Sequence, residues 1–119
     1  MQKILLIDDE RIFHFLSTKI FEVSGVPCEI HSAYDGKEAL TLINDGLLPD
    51  YIFVDLEMPT MTGFQFIETF KKLNISAAKI VVLSSHVTPD ERARAMALGA
   101  DVYMGKPLAE NDVLSLMGS

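Results

Sequence analysis

Three short apolar runs punctuate the chain: Ile4–Ile7, Tyr51–Val54 and Ile80–Leu83, all rich in Ile, Val, Leu or aromatics. Runs this short, without polar alternation, suit strands covered on both faces, as in a parallel sheet. Two weaker candidates, Cys28–Ala33 and Asp101–Met104, bring the set to five, with starts 22 to 29 residues apart. That interval holds a strand, a loop, a helix and a loop, so the pattern predicts a strand–helix unit repeated five times.

The intervening segments carry helical spacing. Ile12, Leu16, Ile20 and Val23 fall on one stripe, as do Leu40, Ile43 and Leu47, and again Phe66, Phe70 and Leu73. Thr88-Pro89-Asp90-Glu91 reads as a helix start, with Thr88 as cap, Pro89 in the first turn and Glu91 completing a capping box. Gly99 stands where a left-handed residue would end that helix, Asp90–Leu98, which is alanine-rich and weakly amphipathic. A helix so thinly anchored is expected to shift more easily than one with a full apolar stripe. The last helix runs from about Glu110 to Met117, and Gly118-Ser119 reads as a linker or a cloning remnant.

The predicted fold is α/β: a flavodoxin-like, doubly wound, five-stranded parallel sheet of order 2-1-3-4-5 with five helices. In such sheets ligands bind beyond the carboxyl ends of the strands, where strands 1 and 3 diverge. With 119 residues there is room for one domain and a core that needs no staples. The single cysteine, Cys28, excludes an internal disulfide framework and a cysteine-based zinc site; it reads as a small buried strand residue. A net charge of −7 repels nucleic acid and anionic lipid, and nothing approaches the length of a membrane span or a signal peptide. The expectation is a soluble, cytoplasmic domain whose partners are proteins or cations.

The residues that follow the strands carry the chemistry. Asp8, Asp9 and Glu10 follow the first, and Asp55 with Leu56-Glu57-Met58-Pro59 the third. Ser84-Ser85 follow the fourth and Lys106-Pro107 the fifth. A lone Asp at a strand end usually caps a turn or helix. Three aspartates, a hydroxyl and an ammonium on one sheet edge are a different matter. Carboxylates about 4–6 Å apart repel by several kcal/mol, so the site must hold protons or bind a cation. Oxygen ligands alone select a hard ion, Mg²⁺ or Mn²⁺. Together with Lys106 and Ser84 that is equipment for holding a phosphoryl group, with Asp55, central in the cluster, as nucleophile.

At these residues the chain resembles the receiver domain of two-component response regulators, near the stand-alone chemotaxis type. The likeness covers residues 1–119 and runs through Ile4–Glu10, Asp35–Leu40, Asp55–Pro59 with Gly63, Ser84, Gly99-Ala100 and Lys106-Pro107. The resemblance implies that Asp55 accepts a phosphoryl group from a sensor histidine kinase or phosphotransfer protein. Asp8, Asp9, Asp55 and the Glu57 backbone carbonyl would hold Mg²⁺, with Asp9 the more direct ligand and Asp8 partly water-mediated. It further implies that Lys106 pairs with the phosphoryl oxygens and Ser84 hydrogen-bonds one of them.

Tyr103 matches the switch aromatic, expected to rotate inward when Ser84 moves. That would repack the surface of the fourth helix, fifth strand and fifth helix for a downstream protein, in a monomer or a phosphorylation-dependent dimer. Serine in place of the commoner threonine at Ser84 loosens the expected coupling. Glu57 and His86 occupy positions that tune attack of water on the acyl phosphate; His86 reads equally as a surface residue without a role. His14 and His31 read as structural or solvated. The methionines read as core filler, with Met104 and Met117 near the output surface.

Two other functions fit parts of the pattern. A phosphatase of the haloacid dehalogenase type also uses an aspartyl phosphate and Mg²⁺, but carries a second Asp where this chain has Glu57. A receiver-like module that has lost phosphorylation would lack one of the acidic pair, the acceptor or the lysine, all of which are present.

Overall fold

The computed structural model describes residues 1–75 and 77–118. Ten elements alternate along the chain. They are β1 (Gln2–Ile7), α1 (Arg11–Ser24), β2 (Cys28–Ala33), α2 (Gly36–Asn44), β3 (Tyr51–Asp55), α3 (Gly63–Leu73), β4 (Lys79–Ser84), α4 (Pro89–Leu98), β5 (Val102–Gly105) and α5 (Glu110–Met117). The five strands form one sheet in the order β2-β1-β3-β4-β5, every pairing parallel. The expected architecture and strand order are both present. No helix among the described residues is long and apolar enough to cross a membrane.

Alternation along the central strands feeds two cores. Leu5, Ile7, Ile52, Val54, Ile80 and Val82 turn to one face, where Ile43 of α2, Phe66 and Phe70 of α3 and Ala95 of α4 cover them. Ile4, Leu6, Phe53, Val81 and Leu83 turn to the other, under Phe13 and Phe21 of α1 and Val113 and Met117 of α5. Covering both faces explains why the strands read as unbroken apolar runs. It also leaves the strand ends as the place where polar groups gather.

Of the stripe expected to bury α1, only Ile20 packs on the core. Ile12, Leu16 and Val23 are 60%, 52% and 63% exposed, together with Phe15. The helix instead buries Phe13, His14, Ser17 and Phe21, a face rotated by about one residue. Phe13 and Phe21 pack with Ile4, Leu6 and Phe53, His14 bonds to the Asp8 carbonyl and Ser32, and helical periodicity alone does not rank the two faces. Cys28 is half-buried at the sheet edge rather than buried, and Met117 belongs to the core rather than to an exposed surface.

Candidate phosphoryl-transfer site

β1 and β3 are neighbours, with Ile7 opposite Val54, so Asp8 and Asp55 emerge side by side at the carboxyl edge. Carboxylate oxygens of Asp8, Asp9 and Asp55 lie within 4.8 Å of one another. Asp8 and Asp55 are 0% and 4% exposed, whereas Asp9 faces solvent. Lys106 reaches in from the loop after β5, its Nζ 2.5 Å from Asp8 Oδ2 and 3.3 Å from Asp55 Oδ1. The other Asp8 oxygen accepts from the Glu10 amide at 2.9 Å. Asp8 thus takes one protein donor on each oxygen, while Asp9 is exposed.

Burial, then the neighbouring Asp8 charge, raise the Asp55 carboxyl from 3.8 to about 6; Lys106 and the Glu57 amide pull the other way. Burial would lower the Lys106 ammonium, but its bonds to Asp8 and Asp55 and their charges hold it above its usual range. Two buried carboxylates share one ammonium, and the pocket remains short of positive charge. The chemistry of this donor set, all oxygen with an exposed edge at Asp9, fits a hard divalent ion. The mouth opens into a cleft of about 600 Å³ lined by Asp9, Glu57, Met58, Thr62, Glu91 and Arg94 among others.

One wall is held by local bonds. Thr62 and Gln65 cap α3 reciprocally, Gln65 N donating to Thr62 Oγ1 at 3.2 Å and Thr62 N to Gln65 Oε1 at 2.9 Å. Gly63 donates to the Leu56 carbonyl at 2.9 Å. A Cβ there would stand 2.5 Å from the Asp55 carbonyl oxygen and 2.8 Å from Leu56 Cα. Glycine lets α3 start directly against the loop that carries the acceptor.

The opposite wall is assembled differently. Ser84 is buried, and its hydroxyl donates to Glu91 Oε1 of α4 while accepting from the His86 amide at 3.1 Å. Tyr103 OH donates to the same Glu91 oxygen at 2.7 Å and accepts from Thr88 N at 3.2 Å. Thr88 caps α4 as expected, taking the Glu91 amide at 3.1 Å, but the reciprocal half of the box goes elsewhere. The Glu91 carboxylate is drawn to the two hydroxyls, and Tyr103 supplies the partner Thr88 N would otherwise lack. Tyr103 is already buried in the core, so an inward rotation has no outward starting point here.

The remaining sequence candidates lie around the rim. Glu57 and His86 face each other across the mouth, Oε1 to Nδ1 3.8 Å, both exposed. His31 pairs with Glu29 on β2, away from the site. Two residues support the site from beneath: His14, whose structural reading holds, and Phe13, which the sequence did not single out. His14 is buried, with Nε2 2.8 Å from the Asp8 carbonyl and Nδ1 3.0 Å from Ser32 Oγ. Phe13 lies under Lys106, ring centroid 4.5 Å from Nζ. No local signal marks either, because their partners are distant in the chain.

The comparisons decide the family. Residues 4–117 match the family model of the response regulator receiver domain. The chain belongs to that family. It is 29% identical to hybrid signal transduction histidine kinase L of Dictyostelium discoideum and 28% identical to transcriptional regulatory protein CpxR of Escherichia coli, each over 97% of this chain. It spans 7% of the first protein and 47% of the second. Among solved structures, the chemotaxis protein CheY4 of Vibrio cholerae superposes with a TM-score of 0.87 at 27% identity, covering 98% of this chain and 95% of that one. Receiver domains as a family accept and release phosphoryl groups by their own chemistry and bind Mg²⁺ at an aspartate cluster. Asp8, Asp9 and Asp55 form such a cluster here.

Proposed function

We propose that this receiver accepts a phosphoryl group on Asp55 from the phosphohistidine of a sensor histidine kinase or phosphotransfer protein in the cytoplasm. It then presents an altered α4–β5–α5 surface to a downstream protein. The observation that carries the reading is the Lys106 ammonium bridging Asp8 and Asp55 beside an open Asp9.

An Asp55 carboxylate oxygen attacks phosphorus, the phosphorus–nitrogen bond of the donor breaks, and the imidazole leaves with the electron pair. Asp8, Asp9, Asp55 and the Glu57 carbonyl are the groups that would hold Mg²⁺, or Mn²⁺. When bound, the ion offsets the carboxylate charge and the charge spreading over the phosphoryl oxygens. Lys106 does the same from the other side, moving one hydrogen bond from Asp55 to a phosphoryl oxygen. Phosphorylation brings nearly two negative charges and three acceptor oxygens to Asp55. Ser84 donates to one of them, and the change reaches Tyr103. Glu57 and His86, facing each other at the mouth, are placed to influence the water that later hydrolyses the acyl phosphate.

Incubation with Mg²⁺ and acetyl phosphate should add one phosphoryl group by intact mass, absent in Asp55→Asn and in wild type with chelator. Uptake that survives in Asp55→Asn would defeat the assignment.

A further inference from the structure

The capping signature at α4 is spent on something other than capping. Glu91 sits three residues after Thr88, as a reciprocal box requires, and the same geometry closes fully at Thr62 and Gln65. Its carboxylate nevertheless turns away and takes two hydroxyl protons on one oxygen, from Ser84 of β4 and Tyr103 of β5. The closed circuit runs from Ser84 to Glu91 to Tyr103 to Thr88 and back to Glu91 through the Thr88 hydroxyl.

A serine hydroxyl carries one proton. While Glu91 holds it, Ser84 has none to give a phosphoryl oxygen; among the described residues its Oγ otherwise accepts from the His86 amide. A bond to a carboxylate is stronger than one to a neutral acceptor, so the competition matters. The helix that carries Glu91 is poorly anchored: of its described residues, Ala95 alone is buried. We propose that Glu91 is a positioning residue that holds Ser84 and Tyr103 in the unphosphorylated arrangement and competes with the phosphoryl group for the Ser84 proton.

This rests on the function proposed above and adds a residue to it. Phosphorylation then acts by exchange of acceptors. The dianion on Asp55 takes the Ser84 proton, and Glu91 keeps Tyr103 alone. The start of α4 loses its tie to β4. Tyr103 stays inside throughout, and what changes is the set of bonds at its hydroxyl.

The test uses beryllofluoride with Mg²⁺, a mimic of the phosphoryl group, followed through the ring signals of Tyr103 by NMR. Glu91→Gln keeps the shape and removes the charge, so it should bind the mimic about three- to tenfold more tightly than wild type. The gain should vanish in a Ser84→Ala background, where there is no proton to compete for. Tyr103→Phe leaves Ser84 bonded to Glu91 and should show no gain, with binding then followed by backbone amide signals. In the free protein, Glu91→Gln should also shift the Tyr103 ring signals.

Unchanged or weaker binding by a folded Glu91→Gln overturns the proposal, as does a gain that persists in Ser84→Ala. If wild type itself binds no mimic in the presence of Mg²⁺, the reading of Asp55 falls and takes this one with it. Binding by wild type with no difference in Glu91→Gln defeats this one alone.

Discussion

The starts of α3 and α4 carry the same kind of sequence signature and end up as opposite walls of one pocket. Thr62 and Gln65 close a complete box, and Gly63 beds the helix against the Asp55 and Leu56 backbone. Thr88 and Glu91 complete half a box, and the freed carboxylate ties α4 to β4 and β5. The difference shows that a capping motif fixes where a helix begins but not where its last side chain goes. At α3, among the described residues, the Gln65 side-chain oxygen accepts from Thr62 N of its own helix start. At α4 two buried hydroxyls donate to the Glu91 carboxylate, and a carboxylate is a better acceptor for them than an amide would be. The wall with the complete box sits beside Asp55, and the wall with the half box beside Ser84 and Tyr103.

The largest effect should come from breaking the α3 wall. Gly63→Ala forces a methyl onto two backbone atoms and should cost about 3 kcal/mol in urea unfolding, with slower phosphoryl uptake. A loss under about 0.5 kcal/mol would mean that α3 is not locked as described.

The acidic cluster between the walls should show itself in pH. In metal-free protein the native state keeps the Asp55 proton up to about pH 6, while the unfolded chain releases it near 3.8. Stability fully present below pH 3.8 is therefore lost as pH rises through 6, by about 3 kcal/mol. Asp55→Asn should remove that part of the slope, seen as the difference between two unfolding curves.

Mg²⁺ should reverse the penalty. At about one hundred times its dissociation constant it should add roughly 2.7 kcal/mol, a rise of several degrees in Tm. Asp9→Asn should lose most of it, since Asp9 is the exposed carboxylate of the cluster.

The smallest effects separate the walls most sharply. Thr62→Ala and Thr88→Ala should each cost about 1 kcal/mol as lost caps. Only Thr88→Ala should disturb the Tyr103 ring signals, because only that cap shares a circuit with Tyr103. Equal disturbance by both would dissolve the distinction.

The strand ends were legible because chemistry and topology coincide there. A parallel sheet brings all its carboxyl ends to one edge, so Asp8, Asp9, Asp55, Ser84 and Lys106 could be gathered from spacing alone. The helix faces were less legible. For α1, periodicity picks out Ile12, Leu16, Ile20 and Val23, yet Phe13 and Phe21 are the buried apolar residues and only Ile20 of the stripe packs on the core. His14 and Phe13 gain their roles from Asp8 and Lys106, contacts that no local window contains.

The amino-acid order by itself determined the alternation of strands and helices, the doubly wound sheet and the identity of the charged residues at its edge. Those follow from periodicity and chain connectivity, which are local or topological properties. The tertiary structure alone decided which side of α1 is buried, that Tyr103 lies inside before any phosphoryl group arrives, and that Glu91 bonds to Ser84 and Tyr103 instead of its own helix. Each is a choice between acceptors or surfaces of similar local merit. Such choices are settled by groups brought near from elsewhere in the chain.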